Sequence, residues 1–164
     1  HSSMLNIRSA ERRDHDAVWA LFHDVVSNGT TYAYPSDMGK AEGLRLWMEN
    51  PRACYVAERE GAIIGTYYLK DNQPGRGAHV GNAGYMVRAD ARGQGIGQAL
   101  CEHSLEAARR LGYKAMQYNL VVATNEAAVH LWKKMGFDIV GTLPEAFDHA
   151  EKGLVDAHVM YRRL

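Results

Sequence analysis

The stretch from Asp90 to Leu100, DARGQGIGQAL, sets Gly93, Gly95 and Gly97 at alternate positions. Before it runs the apolar segment GYMV, which reads as a strand. After it, Ile96, Leu100, Ala107 and Leu111 mark one face of a helix that Gly112 ends. A strand that passes through bare backbone into a helix narrows the possible folds to those with an α/β crossover. A helix N-terminus presents N–H groups without intrahelical partners and the positive end of the helix dipole. Glycine lets an anion come within hydrogen-bonding distance of them, since no Cβ intervenes, and Arg92 can add a charge-assisted contact. A tight turn with no ligand would use the same glycines. Two familiar phosphate loops fit badly. A Walker loop needs GK[ST], and here Gln98 follows Gly97. A dinucleotide fingerprint needs GxGxxG after a first strand, and here GxGxG lies mid-chain, behind a hairpin.

The flanking sequence supplies the rest of the order. LNIRSA (Leu5 to Ala10) alternates as a strand, and Val18, Leu21, Phe22, Val25 and Val26 repeat at helical spacing. SNGTTYAYPSDM breaks that helix, and a second short helix is expected near Ala41 to Glu49, before Pro51. ACYVAERE and AIIGTYYL form a hairpin about Glu60 and Gly61, with one of Tyr67 and Tyr68 facing inward. Ala78 to Val87 is a strand whose two glycines allow a bulge or a close backbone approach. YKAMQYNLVV is a strand, NEAAVHLWKKM a helix with Asn125 at its N-cap, and FDIVGTL and LVDAHVMYRRL are the last strands. PEAFDHAEKG (Pro144 to Gly153) is expected as a loop that caps a site or joins a dimer contact. The order is β-α-α-β-β-β-α-β-α-β-β, a mixed α/β domain over residues 4–164. His1, Ser2 and Ser3 resemble an expression-tag remnant.

Composition excludes several classes. Lys plus Arg and Asp plus Glu both number 19, so generic nucleic-acid or anionic-membrane binding lacks its basic excess. No apolar run approaches the ~18 residues of a membrane span, and the start shows no signal-peptide pattern. Cys54 and Cys101 form no CxxC pair and suggest a reducing, cytoplasmic setting, while the eight histidines show no metal-ligand spacing, so no metal is expected.

Arg92, Gly95 and Gly97 match the pattern Q/R-x-x-G-x-G/A. TNEAAVHLWKKMGF (Thr124 to Phe137) matches N-x-x-A-x-x-x-Y-x-x-x-G-F through Asn125, Ala128, Gly136 and Phe137. With both motifs at the expected separation, the chain resembles the GNAT superfamily of acetyl-CoA-dependent N-acetyltransferases from Leu5 to Leu164. The resemblance implies the GNAT fold: a mixed parallel and antiparallel sheet of six to seven strands, flanked by about four helices and splayed between the fourth and fifth strands. It implies acetyl-CoA as co-substrate. The coenzyme's pyrophosphate would lie on the amides of Arg92, Gly93, Gln94, Gly95, Ile96 and Gly97. Its pantetheine arm would pair with the backbone of Tyr85, Met86 and Val87, with Asn125 hydrogen-bonding the arm. A homodimer is a further possibility, since dimers are common in the family.

The implied chemistry is direct acetyl transfer to a neutral amine in a ternary complex. A backbone N–H at Met86 or Val87 would stabilise charge on the carbonyl oxygen, and positioning would supply much of the remainder. The family usually carries a tyrosine where this chain has Trp132, and an indole does not ionise usefully as an acid. Tyr85 and Tyr118 are candidate replacements, and Trp132 is expected to pack against the coenzyme arm or the core. Asn82 and Asn119 lie in the two strands expected to splay, and asparagine is a poor strand former. Both are expected to orient the acceptor's amine or a carboxylate beside it; the plainer alternative is that they satisfy backbone groups. Tyr32, Tyr34 and Leu120 are expected to line the acceptor pocket, Glu58 is the carboxylate to test as base, and His79 and His130 are expected to be bland. The wording N-L-V-V-x-T-N…L-W-K-K-x-G-F is similar to the branch that acetylates small amino acids and cyclic imino acids. A small-molecule amine acceptor is therefore expected, against protein N-terminal or lysine acetylation and against a non-catalytic acyl-CoA sensor.

Overall fold

Helical spacing recurs four times between alternating segments, and the elements form in the order those periods predict. A computed structural model describes residues 4–164; His1 to Ser3, expected as a tag remnant, lie outside the described residues. The strands are β1 (Asn6–Ser9), β2 (Ala53–Arg59), β3 (Ala62–Asp71), β4 (Val80–Val87), β5 (Ala115–Val122), β6 (Asp138–His149) and β7 (Gly153–Arg163). The helices are α1 (His15–Asn28), α2 (Lys40–Leu44), α3 (Ile96–Arg110) and α4 (Glu126–Lys134), and a π-helical turn, Arg45–Glu49, extends α2. The strands form one sheet in the order β1-β2-β3-β4-β5-β7-β6, antiparallel except between β4 and β5.

Helices cover both faces. The apolar stripe of α1 (Val18, Leu21, Phe22, Val25, Val26) packs with Leu44 and Trp47 on one side. Ile96, Leu100 and Leu105 of α3 and Trp132 of α4 pack on the other. A sheet covered on both faces buries alternate side chains on both sides. Tyr67 is therefore 0% exposed and Tyr68 6%, which corrects the expectation that only one of them faces inward.

Two further expectations are resolved by packing. The β3–β4 ladder runs without a bulge, and the glycines of β4 serve close approach instead. A Cβ at Gly84 would lie 2.5 Å from the Tyr68 ring. The segment Pro144 to Gly153 is not a loop: β6 continues to His149 and turns at 150–152 into β7. Pro144 fits because β6 is an edge strand and carries an irregularity between Leu143 and Phe147. There Glu145 takes φ 51° and its N–H donates to Asp156 Oδ1 at 3.0 Å. His149 Nδ1 accepts the N–H groups of Glu151 and Lys152, both at 3.1 Å, and so closes the turn.

Candidate active site at the strand fork

β4 and β5 pair at only two rungs, Val80 with Ala115 and Gly81 with Met116, and then separate. The fork opens toward the C-terminal ends of both strands, where open α/β sheets place their ligands. It forms a cleft of about 790 Å³ walled by β4, β5, the start of α4 and the loop after α1. Asn82 follows the last rung. Its Nδ2 donates to the Gln117 carbonyl at 3.0 Å and its Oδ1 accepts the Tyr68 hydroxyl at 3.0 Å. A side chain thus makes the link that the backbone ladder drops. On the α3 face the hydroxyls of Tyr85 and Tyr118 meet at 2.6 Å, a second bridge between the strands.

Strand pairing decides which amides face the fork. Arg88 N–H donates to Ile64 on β3 and Asn72 N–H to Val80, whereas the His79 carbonyl accepts from Lys114 beside β5. Antiparallel pairs alternate, so Met86, opposite Thr66, turns its N–H to β3 while Tyr85 and Val87 turn theirs to the fork. Met86 is thereby corrected as a polarising donor: its amide belongs to the ladder and its side chain to the core. Tyr85 N–H already has a partner, the Tyr32 hydroxyl at 2.7 Å, which also donates to the Tyr85 carbonyl at 2.8 Å.

At the mouth of the fork, Gly93 and Gly95 take φ 77° and 79°, left-handed values that disfavour other residues, and a Cβ on either would meet only open space. Ala99 is the first residue of the turn to bond the helix, to Gly95 at 3.1 Å, so no acceptor among the described residues takes the amides of Gly93, Gln94, Ile96 and Gly97. Unpaired amides at the start of a 15-residue helix, with exposed Arg92 on the cleft wall, fit a coenzyme's phosphates. The Gln94 side chain is otherwise engaged, accepting from Arg59 at 2.7 Å. Asn125 caps α4 through Oδ1, which accepts Ala128 N–H at 3.3 Å, and it lines the cleft.

The inner end of the cleft gathers polar groups. An irregularity in β5 between Tyr118 and Val121 takes in Asn119 and Leu120 and sets both on the cleft wall. Asn119 is exposed; its Nδ2 donates to Asn72 Oδ1 at 2.7 Å and its Oδ1 accepts from Gln117 at 2.9 Å. Tyr32 and Tyr34 stack at 5.9 Å on the opposite wall. Sequence reasoning missed Lys70 and Asn72. Lys70 stands two residues after Tyr68, hence on the same face of β3, with Nζ 5.4 Å from that ring. Its signal was the alternation itself.

Trp132 is buried with its ring 4.9 Å from Tyr85 and 5.0 Å from Tyr118, a packing position between both fork strands. Burial pushes the hydroxyls of Tyr85 and Tyr118 well above the ordinary phenol pKa, and the same cause raises Tyr32, Tyr34 and Tyr68. These phenols stay protonated near neutral pH and act as donors. Tyr85 also bonds Ser104 Oγ at 2.6 Å, away from the cleft. Glu58 is corrected as a base: it pairs with Arg8 at 3.4 Å and lines a separate hollow beside β1. His79 and His130 are exposed and line neither cavity. Among the described residues no carboxylate or imidazole lines the fork, and no group of three or more His, Cys, Asp or Glu could hold a metal ion.

The family model of the acetyltransferase (GNAT) family matches residues 15–137. A solved GCN5-related N-acetyltransferase from Kribbella flavida is 43% identical, covers 98% of both chains and superposes with a TM-score of 0.93. The L-amino acid N-acetyltransferase AaaT of Escherichia coli is 29% identical over 98% of each chain. The N-acetyltransferase aca1 of Schizosaccharomyces pombe is 36% identical over 99 residues, 60% of this chain and 47% of its own, so the match spans less than half of that relative. A parallel pair that forks beside a glycine-rich helix start, together with a match over residues 15–137, places the chain in the acetyltransferase (GNAT) family.

Proposed function

We propose that the protein transfers an acetyl group from acetyl-CoA to the amine of a small acceptor, an amino acid, imino acid or analogue, in a ternary complex. The observation that carries this reading is the fork: two gap-facing amides two residues apart, beside a cradle of free helix-start amides. Bound acetyl-CoA supplies the activated thioester. Arg92 and the amides of Gly93 to Gly97 hold its diphosphate. Tyr85 and Val87 divide two tasks between their N–H groups, pairing the pantetheine arm and stabilising charge on the thioester oxygen. Asn119, exposed on the cleft wall, orients the amine, and Asn82, bonded to Gln117 and Tyr68, holds the fork in shape beside it. Lys70, at the inner end, suits the carboxylate of an amino acid. Because no carboxylate or imidazole among the described residues lines the cleft, the amine's proton leaves through water, and the reaction selects the neutral amine. The tyrosine walls and the full-length similarity to an L-amino acid N-acetyltransferase favour a small acceptor over a protein terminus.

The reading extends to a homodimer and to a cytoplasmic setting. Exposed Val140, Leu143 and Leu154 give the β6–β7 hairpin an apolar surface for a second copy. Both cysteines are free.

Thiol release from acetyl-CoA, measured with a panel of amino acids, imino acids and short peptides, tests the reading. Turnover with a free amino or imino acid is expected, with Gly95→Glu abolishing it by placing a charged side chain in the cradle. Acetyl-CoA binding without thiol release from any acceptor would replace the enzyme by an acyl-CoA-binding module, and turnover confined to peptides would replace the acceptor class.

A further inference from the structure

Tyr32 touches backbone that the proposed reaction needs for its coenzyme. The loop after α1 carries this residue across the cleft, where one hydroxyl accepts Tyr85 N–H at 2.7 Å and donates to the Tyr85 carbonyl at 2.8 Å. Tyr85 is a fork-facing residue of β4, beyond the last rung shared with β5. A phenol that both accepts and donates there reproduces the pairing of the strand neighbour that β4 lacks. The ring is held for this: it stacks on Tyr34 at 5.9 Å and 13°, and meets Trp47 edge-on at 6.0 Å. The loop's first residue is fixed too, since Gly29 (φ 71°) accepts Ala150 N–H at 3.0 Å from the β6–β7 turn. The rest of the loop, residues 30–39, is irregular and half of it is exposed, and Tyr32, Tyr34 and Met38 are its contacts with the core.

An N–H directed at the Tyr32 hydroxyl is not free for a thioester oxygen or a pantetheine amide. We propose that Tyr32 is an internal occupant of the acyl-arm subsite, displaced when acetyl-CoA binds, and that its release moves loop 30–39 and with it Tyr34 on the acceptor wall. This rests on the reading of acetyl-CoA as the co-substrate. Tyr32 thus competes with the coenzyme and couples its arrival to the shape of the acceptor pocket.

Tyr32→Phe keeps the ring and removes the hydroxyl, leaving Tyr85 N–H and C=O unpaired by protein only in the free form. Calorimetric titration with acetyl-CoA should give a Kd about tenfold lower than wild type. The free variant should melt below the free wild type, and the two should melt together at saturating acetyl-CoA. A merely structural tyrosine would lower both melting temperatures equally. An unchanged or weaker Kd, or equal losses with and without coenzyme, overturns the proposal while wild-type binding keeps the functional reading. A wild type that binds no acetyl-CoA overturns both. Should Tyr32→Phe not fold, Tyr32→Met carries the same comparison.

Discussion

Asn82 and Asn119 show how one residue type does two jobs on neighbouring strands. Asn82 is 6% exposed and spends both ends of its amide on protein, the Gln117 carbonyl and the Tyr68 hydroxyl. Asn82→Ala leaves both groups unpaired in a buried place, a loss of about 2 kcal/mol. That should lower the melting temperature by roughly 4–8 °C. Asn119 is exposed and bonded to two polar side chains, Asn72 and Gln117, that water can satisfy. Asn119→Ala should therefore stay within about 0.5 kcal/mol of wild type while raising the acceptor's KM. Thermal melts beside steady-state kinetics separate the two. Equal melting losses would make Asn119 a fastener of the fork instead of an acceptor contact. Both asparagines were legible as anomalies of strand composition; which one is fastened was not, because that depends on where the ladder stops.

The start of α1 is tied to the sheet by charge. Arg8 of β1 donates to both carboxylate oxygens of Asp14, at 2.8 and 2.9 Å, and reaches Glu58 of β2 at 3.4 Å. Asp14 is buried, and Glu11 N–H also donates to it at 2.7 Å, capping the turn that leads into the helix. Arg8, first, and the Glu11 amide hold the Asp14 carboxyl below the usual carboxylate range. A carboxyl with a lowered folded pKa stabilises the fold above its unfolded pKa of about 4 and loses that contribution as pH falls through the folded value. Asp14→Asn should cost about 2 kcal/mol near neutral pH, from the charge-assisted bonds it removes. Melting temperatures from pH 7 to pH 2 should then fall less steeply than in wild type, and parallel curves would refute the linkage. None of this was legible in the sequence, where Asp14 sits 44 residues from Glu58.

Seen as a molecule, the sheet is covered by helices over most of its area and bare along β6 and the outer side of β7. Proline at 144 and the irregularity beside it discourage further strand pairing on that edge, so side chains are left to form a contact. Light scattering should report twice the mass of one chain, and Leu154→Glu, placing charge on the exposed apolar surface, should return a monomer that still binds acetyl-CoA. A monomeric wild type would remove the dimer from the functional reading and leave the fork untouched. Among the described residues no helix is long and apolar enough to cross a membrane.

Local chemistry makes much of this protein readable from its sequence alone. Period and punctuation marked eleven elements in order, since spacing along the chain encodes which face of an element is apolar. Glycines at 93, 95 and 97, and Asn125 three residues before Ala128, marked both helix starts that face the cleft, because caps and left-handed turns are properties of a few adjacent residues. What depended on distant partners was hidden. The sequence placed Met86 and Val87 side by side as donors, and only ladder parity, set by β3, turns one to the sheet and the other to the fork. The Tyr32 hydroxyl reaches Tyr85 across 53 residues, and Glu58 was drawn away from the cleft by Arg8. Such contacts are fixed by how covered faces stack, a long-range outcome that no local pattern carries.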